Sequence, residues 1–272
     1  MKKVTVIIVT YKKDFRRTPS YEILMRYSNE EKINLFIYDN EKVAPVLEGN
    51  NIVNIQSISN EGLSLPYNMA LKYAQKNDSE WLLLLDHDTV LTESFLEEVI
   101  STASKDVKAI LPRIISNENI ISPLMADKYI SLRHKRVPNV GDVSLPIMAI
   151  NSGSALSVRI LSSIGGFNEE FKLDFLDHWI FWRLNREKES QYIISSEKIN
   201  HELSVQDINS MSITRYESIL NSEVLYYTNY NTDQLSKFIN TLFMRAGKQF
   251  LLVKNRKFWK KTLKKYFEVR RR

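Results

Sequence analysis

Apolar runs of strand length recur along the first 115 residues, and segments with helical spacing lie between most of them. "VTVIIVT" (4–10) is a β-branched apolar run, which predicts a buried strand. "TPSYEILMRYSNE" opens with Thr18 ahead of Pro19, a helix start. "INLFIYDN" (33–40) and "NIVNIQS" (51–57) read as strands. In "SLPYNMALKYAQKN" (64–77), Leu65, Met69, Ala70, Tyr73 and Ala74 recur at helical intervals. "EWLLLL" (80–85), "TESFLEEVISTAS" (92–104) and "VKAILPRII" (107–115) then read as strand, capped helix and strand. This alternation predicts an α/β fold, a mostly parallel sheet with helices on both faces.

The pattern changes beyond residue 115. Residues 116–145 read as a long polar connection with scattered prolines, and "PIMAINSGSALSV" (146–158) resumes strand character. "DFLDHWIFWRLNREKES" (174–190) is amphipathic and helical, and from about residue 210 the pattern is helical to Arg272. The division expected is an α/β body over 1–210 and a helical extension over 211–272.

Charge sharpens that division. The formal net charge is +6, yet 12 Lys/Arg and one acid, Glu268, fall in Arg245–Arg272. The remainder carries 26 basic and 31 acidic residues, so a mildly acidic body bears a tail of +11. The chain has no cysteine, which excludes disulfides, thiolate catalysis and Cys-ligated zinc and fits a reducing, cytoplasmic setting. The basic head and short apolar run of "MKKVTVIIVTYKK" read as a first strand rather than a signal peptide. No run approaches the roughly 18 apolar residues of a membrane-spanning helix.

In open α/β sheets ligands bind beyond the carboxyl ends of the strands. The alternation places Asp39 and Asn40 at one such end, and Asp86 and Asp88 of "WLLLLDHDTV" at another. Two carboxylates one residue apart suit a hard divalent cation, Mn²⁺ or Mg²⁺, which keeps substrate phosphates as further ligands; a plain turn is the alternative. Asn60 and Gly62, in "ISNEGLSLPYNMAL", make a turn before a helix whose N-terminus suits a diphosphate, with Asn68 one turn in. Ser152-Gly153 allows backbone to approach a ligand, and Gly165-Gly166-Phe167 makes a tight turn. Asp174 and Asp177 then precede an aromatic helix bearing Trp179, Trp182 and Arg183. Asp177 suits a general base for a sugar hydroxyl, or simply the first turn of a helix.

The ordered set "VIIVTY", "YDN", "NEGLSLPYN", "LLLDHDT", "NSGSALSV", "IGGFNEEF" and "FLDHWIFWR" resembles the family 2 inverting glycosyltransferases of GT-A fold, in particular their rhamnosyltransferase-like branch. The resemblance covers residues 1 to about 205. It implies a donor-binding half over about 1–115 and an acceptor-binding half over about 116–210. Thr10 and Tyr11 would line the nucleotide pocket, Asp39 would contact base or ribose with Asn40 in support, and Asn60, Gly62 and Asn68 would shape the donor pocket. Asp86 and Asp88 match the metal and nucleotide-sugar motif, and His201 the late histidine that completes the metal site. Asp177 matches the catalytic base, Ser152, Gly153 and Trp179 fall on the acceptor side, and Arg183 stands where the family has arginine. This chain departs by having Leu176 before the base and Trp179 two residues after it, so substrate preference does not carry over. The donor implied is a dTDP- or UDP-sugar, and the acceptor a glycan or lipid-linked glycan of the cell envelope.

The tail, "RAGKQFLLVKNRKFWKKTLKKYFEVRRR", sets Leu251, Phe258, Trp259, Leu263, Tyr266 and Phe267 near helical spacing among lysines and arginines. Such a helix suits peripheral attachment to an anionic membrane surface. Packing on the body, or on another subunit in a homodimer, is the alternative. Nucleic acid is not an expected partner, because the basic charge is confined to the tail and no binding module accompanies it.

Overall fold

The computed structural model describes residues 3–116, 118–127, 129, 135–188, 190–200 and 211–271. Two compact units are present, Met1–Glu202 and Leu203–Arg272.

The first unit is built on β1 (Val4–Thr10), β2 (Asn34–Asp39), β3 (Ile52–Gln56), β4 (Trp81–Asp86), β5 (Val107–Ser116), β6 (Asn119–Ser122), β7 (Leu124–Met125), β8 (Gly141–Val143), β9 (Ile147–Met148), β10 (Ala155–Ser157) and β11 (Gln191–Asn200). Its helices are α1 (Tyr21–Asn29), α2 (Ser64–Lys76), α3 (Glu93–Ser101), α4 (Val158–Ser163) and α5 (Leu176–Leu184). The main sheet runs β3-β2-β1-β4-β10-β5-β11-β8, with β6 beside β5, while β7 and β9 form a small separate ribbon.

β3, β2, β1 and β4 are mutually parallel. β10 enters antiparallel between β4 and β5, and β11 is parallel to β5. The expected α/β architecture with a mostly parallel sheet is therefore present.

Side-chain alternation divides the apolar strands between two layers. Val4, Val6 and Ile8 join Leu35, Ile37, Leu83 and Leu85 in one core with Leu24 and Tyr27 of α1 and Phe95, Leu96 and Val99 of α3. On the opposite face Phe36 meets Tyr73 of α2, ring centroids 5.7 Å apart. Strands buried on both faces have little use for polar positions, which explains the unbroken runs in β1 and β4. Within residues 146–158, expected as resumed strand, β9 and β10 flank a turn, and short strands punctuate 116–145. β11 is the element that hydropathy did not announce: only Tyr192, Ile194, Ser195 and Ile199 are buried along its ten residues.

The second unit contains α6 (Ile213–Leu225), α7 (Leu235–Leu252) and α8 (Lys257–Arg270), with one wide helical turn, Tyr226–Tyr230, after α6. Its centre is a polar chain within an aromatic core. Tyr216 bonds to Thr262 at 2.5 Å and accepts from Gln249 at 2.7 Å. Glu223, 6% exposed, receives both guanidinium nitrogens of Arg245. The apolar stripe expected in the tail divides: Phe258 and Tyr266 are buried, beside Thr262 and Val269 of α8, Trp259 and Leu263 are half-buried, and Leu251 and Phe267 are exposed. Among the described residues no helix is long and apolar enough to cross a membrane.

Candidate active site

β1, β2 and β4 end together. Thr10 pairs with Asp39 and Val9 with Asp86, so the parallel register brings both aspartates to one sheet edge. The β4 strand stops because the chain turns: Thr89 N–H donates to the Asp86 carbonyl at 3.2 Å. That turn is held from two sides. The Asp86 N–H donates to Ser152 Oγ at 3.1 Å, and the Ser152 hydroxyl also bonds to Thr89. Ser20 Oγ donates to the Thr89 carbonyl and accepts from Leu91 N–H. Beneath it, Gly153 donates its N–H to Leu84 O at 2.8 Å. Gly153 has φ +84° and sits where a Cβ would press on Ile114 and Pro112 at 3.2 Å. Ser152 and Gly153, expected on the acceptor side, thus have their observed contacts with the aspartate turn, and Ser152 is buried.

The carboxylates converge. Asp86 is pushed up to about 7, first by burial of its carboxyl, then by the negative charges of Asp88 and Asp177. Asp177 comes from the first turn of α5, more than 90 residues further along the chain, and its charge is nevertheless felt at β4. Tyr67 of α2 senses the same charges: burial, then Asp86 and Asp177, hold its phenol well above the usual range. The Tyr67 hydroxyl is enclosed and has no hydrogen-bond partner among the described residues, and the same is true of Asn151 Oδ1. Leaving such atoms unpaired is costly, and the Tyr67 hydroxyl is the one on which the charges of Asp86 and Asp177 act. Tyr67 was not singled out from sequence. Its place in "LPYN" is that of an ordinary core aromatic.

Asp177 is held by its neighbours. Its Oδ1 accepts from the His178 N–H at 2.8 Å and lies 3.0 Å from His178 Nδ1. Both contacts fall on Oδ1. The His178 ring lies over Phe175, centroids 4.3 Å apart, and Phe175 has φ +64°. A bulky residue in the left-handed region is strained; here it turns the chain into α5, two residues before Asp177. His178 is a second residue that sequence reading missed, although it stands next to the expected base.

The remaining expected residues form the joints between these segments. Asp39 accepts from the N–H groups of Glu41 and Val43, at 3.1 and 2.7 Å. Asn40 donates to Gly62 O at 3.0 Å and accepts from Glu61 N–H at 3.0 Å, tying the end of β2 to the loop before α2. Asn60 Oδ1 accepts from Gly62 N–H. Gly62, φ +79°, lies so close to Lys172 that a Cβ would stand 2.2 Å from its carbonyl oxygen. That same carbonyl accepts from Leu63 N–H and Ser64 N–H, so the start of α2, expected to suit a diphosphate, is engaged with protein. Both ends of the Asn68 amide bond to the backbone of Phe167, at 2.8 and 2.9 Å, joining α2 to the Gly165-Gly166 turn. Trp179 is buried and Arg183 pairs with Glu187 at 2.8 Å. Tyr11 is half-buried just beyond β1. His201 lies outside the described residues.

A cation fits the donor set at the end of β4. Asp86 and Asp88 supply hard oxygen ligands, and the crowding of negative charge that raises Asp86 is what a divalent ion relieves. Among the described residues no group of three His, Cys, Asp or Glu side chains is arranged around a metal; two carboxylates suffice where phosphate oxygens complete the shell. The open cleft lined by Lys3, Lys32, Asn34 and Asn77 lies at the opposite, amino-terminal edge of the sheet and takes no part in this grouping.

No family model matches the chain, and no curated protein matches it. Among solved structures it is similar to GalNAc-T7, in a crystal structure with UDP, GalNAc and Mn²⁺, with a TM-score of 0.56 and 13% identity. The match covers 84% of this chain and 49% of that one, so the chain spans about half the length of the protein it resembles. The likeness is one of fold: the architecture is that of a GT-A domain, an α/β sheet flanked by helices, followed by a helical extension.

Proposed function

We propose that this chain is an inverting glycosyltransferase, moving a sugar from a nucleotide-diphosphate donor to a hydroxyl of a glycan or lipid-linked glycan in cell-surface polysaccharide synthesis. The observation that carries the reading is the mutual charge of Asp86, Asp88 and Asp177, from the end of β4 and the start of α5, at the carboxyl ends of the parallel strands, where it also reaches the enclosed Tyr67 hydroxyl.

In this reading Asp86 and Asp88 hold Mn²⁺ or Mg²⁺, with His201 as a candidate further ligand. When bound, the ion neutralises the departing diphosphate. Thr10, Tyr11 and Asp39 face the nucleotide, and the joints made by Asn40, Asn60, Gly62 and Asn68 fix the loops that surround it. Asp177 takes the proton of the acceptor hydroxyl as that oxygen bonds to the anomeric carbon. The bond from that carbon to the phosphate oxygen breaks in the same displacement, so configuration inverts and no covalent enzyme intermediate forms. His178, donating to Oδ1, keeps the carboxylate turned toward the acceptor. Trp179 and Arg183 shape the acceptor side through α5, with Ser152 and Gly153 supporting the turn below.

The sugar is read as rhamnose from the motif resemblance. A UDP-hexose or UDP-N-acetylhexosamine is the second candidate, favoured by the UDP and GalNAc in the structurally similar GalNAc-T7. Incubating purified protein with dTDP- and UDP-sugars, with Mn²⁺ or with chelator, and measuring nucleoside diphosphate release tests the proposal. Metal-dependent release from one donor class is expected. Asp177→Asn should bind donor normally and lose transfer by about 10²–10⁴-fold. Donor binding with no turnover on any acceptor would instead make the chain a nucleotide-sugar-binding protein.

A further inference from the structure

Six of the fourteen large apolar side chains left exposed among the described residues fall in one short span of the helical unit: Phe243, Met244, Phe250, Leu251, Leu252 and Phe267. They are not the inward-packing stripe of α8. Leu251 and Leu252, 78% and 68% exposed, stand at the last turn of α7. The antiparallel run of α8 beside α7 draws the aromatic members into one seam. Phe250 meets Trp259 edge-on at 5.3 Å, Phe243 meets Tyr266 at 5.3 Å, and Tyr266 meets Phe267 at 5.1 Å. A folded protein rarely leaves a contiguous apolar face of this kind in water without a use for it.

Cations frame the face. Arg256 lies over the Phe250 ring at 5.0 Å, Lys260 over Trp259 at 6.0 Å and Arg270 over Tyr266 at 5.8 Å. Lys254 and Lys257 are exposed at the α7–α8 connection, next to the two leucines. From Arg245 onward the balance is +11. That charge selects the occupant. A second copy presenting the same face would set like charge against like, which costs free energy. An anionic bilayer offers opposite charge at its surface and apolar depth beneath, and takes up aromatic rings at the headgroup level.

We propose that this face of the α7–α8 hairpin docks on an anionic lipid bilayer, the Phe250-Leu251-Leu252 tip entering the headgroup boundary and the surrounding lysines and arginines meeting lipid phosphates. The inference stands on the helical unit alone and is independent of the transferase reading.

The test is co-sedimentation of the full chain with vesicles of phosphatidylcholine alone and of a roughly 3:1 mixture with phosphatidylglycerol, at low and high salt. Recovery is expected on the mixed vesicles, falling with salt, with little on phosphatidylcholine. Leu251→Ser/Leu252→Ser should weaken binding about tenfold through lost apolar contact, and Lys254→Glu/Lys257→Glu by a similar factor through charge. All four positions are exposed, so circular dichroism and the urea midpoint should match wild type. Equal recovery of variants and wild type, or no recovery on either vesicle, overturns the proposal. A concentration-dependent dimer in sedimentation velocity that Leu251→Ser/Leu252→Ser abolishes would assign the face to a second copy, and overturns it equally.

Discussion

Replacing Asp86 by asparagine should stabilise the metal-free protein. The Asp86 carboxyl is raised from 3.8 to about 7 by burial and by the charges of Asp88 and Asp177. A raised folded-state pKa means that the folded chain holds this proton more tightly than the unfolded chain. The stabilisation is complete below about pH 4 and is lost as pH rises through about 7. About three pKa units correspond to at most about 4 kcal/mol; residue 86 keeps some solvent access, so about 2 kcal/mol is the working figure. Asparagine keeps the shape and carries no charge. In urea unfolding with chelator present, wild-type stability minus that of Asp86→Asn should therefore fall by about 2 kcal/mol between about pH 3.5 and pH 8, leaving the variant the more stable at pH 8. Saturating Mn²⁺ should reverse the order, because binding at 100 times Kd adds about 2.7 kcal/mol to a protein that holds the ion and nothing to one that does not. A variant less stable than wild type at pH 8 in chelator, or a difference that does not move with pH, would refute the claim that crowded carboxylates strain the end of β4.

Three further outcomes follow from particular contacts. His178→Ala should lower kcat about tenfold while leaving the donor KM near wild type, and His178→Gln, which keeps a donor, should recover part of the loss; a change confined to KM would remove the histidine from the positioning of Asp177. Gly62→Ala places a methyl 2.2 Å from the Lys172 carbonyl oxygen at φ +79°, so a loss of about 2 kcal/mol or more is expected by urea titration; a neutral effect would show that the two loops are not clamped there. Glu223→Gln leaves the Arg245 guanidinium, which the carboxylate now satisfies twice, without its counter-charge, and should cost about 3 kcal/mol in the helical unit, read as a lowered thermal midpoint.

Periodicity located most of the body because its strands are buried on both faces. An uninterrupted run such as Trp81–Leu85 has no other use, and the polar residue that ends it marks the sheet edge. Asp86 and Asp88 were legible for that reason. β11 was not: it is half-wet, and Glu197 and Lys198 interrupt the apolar signal. Nor could hydropathy reveal that β10 runs against its neighbours, since alternation is blind to strand direction. In the tail, helical spacing was legible but not which of its apolar residues turn inward. Phe258, Thr262, Tyr266 and Val269 are what α8 packs inward, and the exposed apolar face lies largely on α7.

The polar residues of the site divide by what they hold. Asn40, Asn60, Asn68 and Ser152 have the composition of ligand-binding groups, yet each is engaged with backbone or with a neighbouring turn. Asp86, Asp88 and Asp177 form a different set, one that crowds like charge where folding alone would avoid it. Sequence treats the two sets alike, because an amide that closes a loop and a carboxylate set among other carboxylates occupy the same kind of position after a strand. What separates them is electrostatic: the amides and the serine close loops, whereas Asp88 and Asp177 set their charge against Asp86. Asn68 has both amide ends bonded to the backbone of one residue, Phe167, so its loss would loosen the Gly165-Gly166 turn. Tyr67, which sequence offers as plain core, carries an enclosed hydroxyl with no hydrogen-bond partner among the described residues, within reach of the Asp86 and Asp177 charges. The charges of the aspartates thus reach Tyr67, while Asn68, one residue later on the same helix, ties that helix to the neighbouring turn.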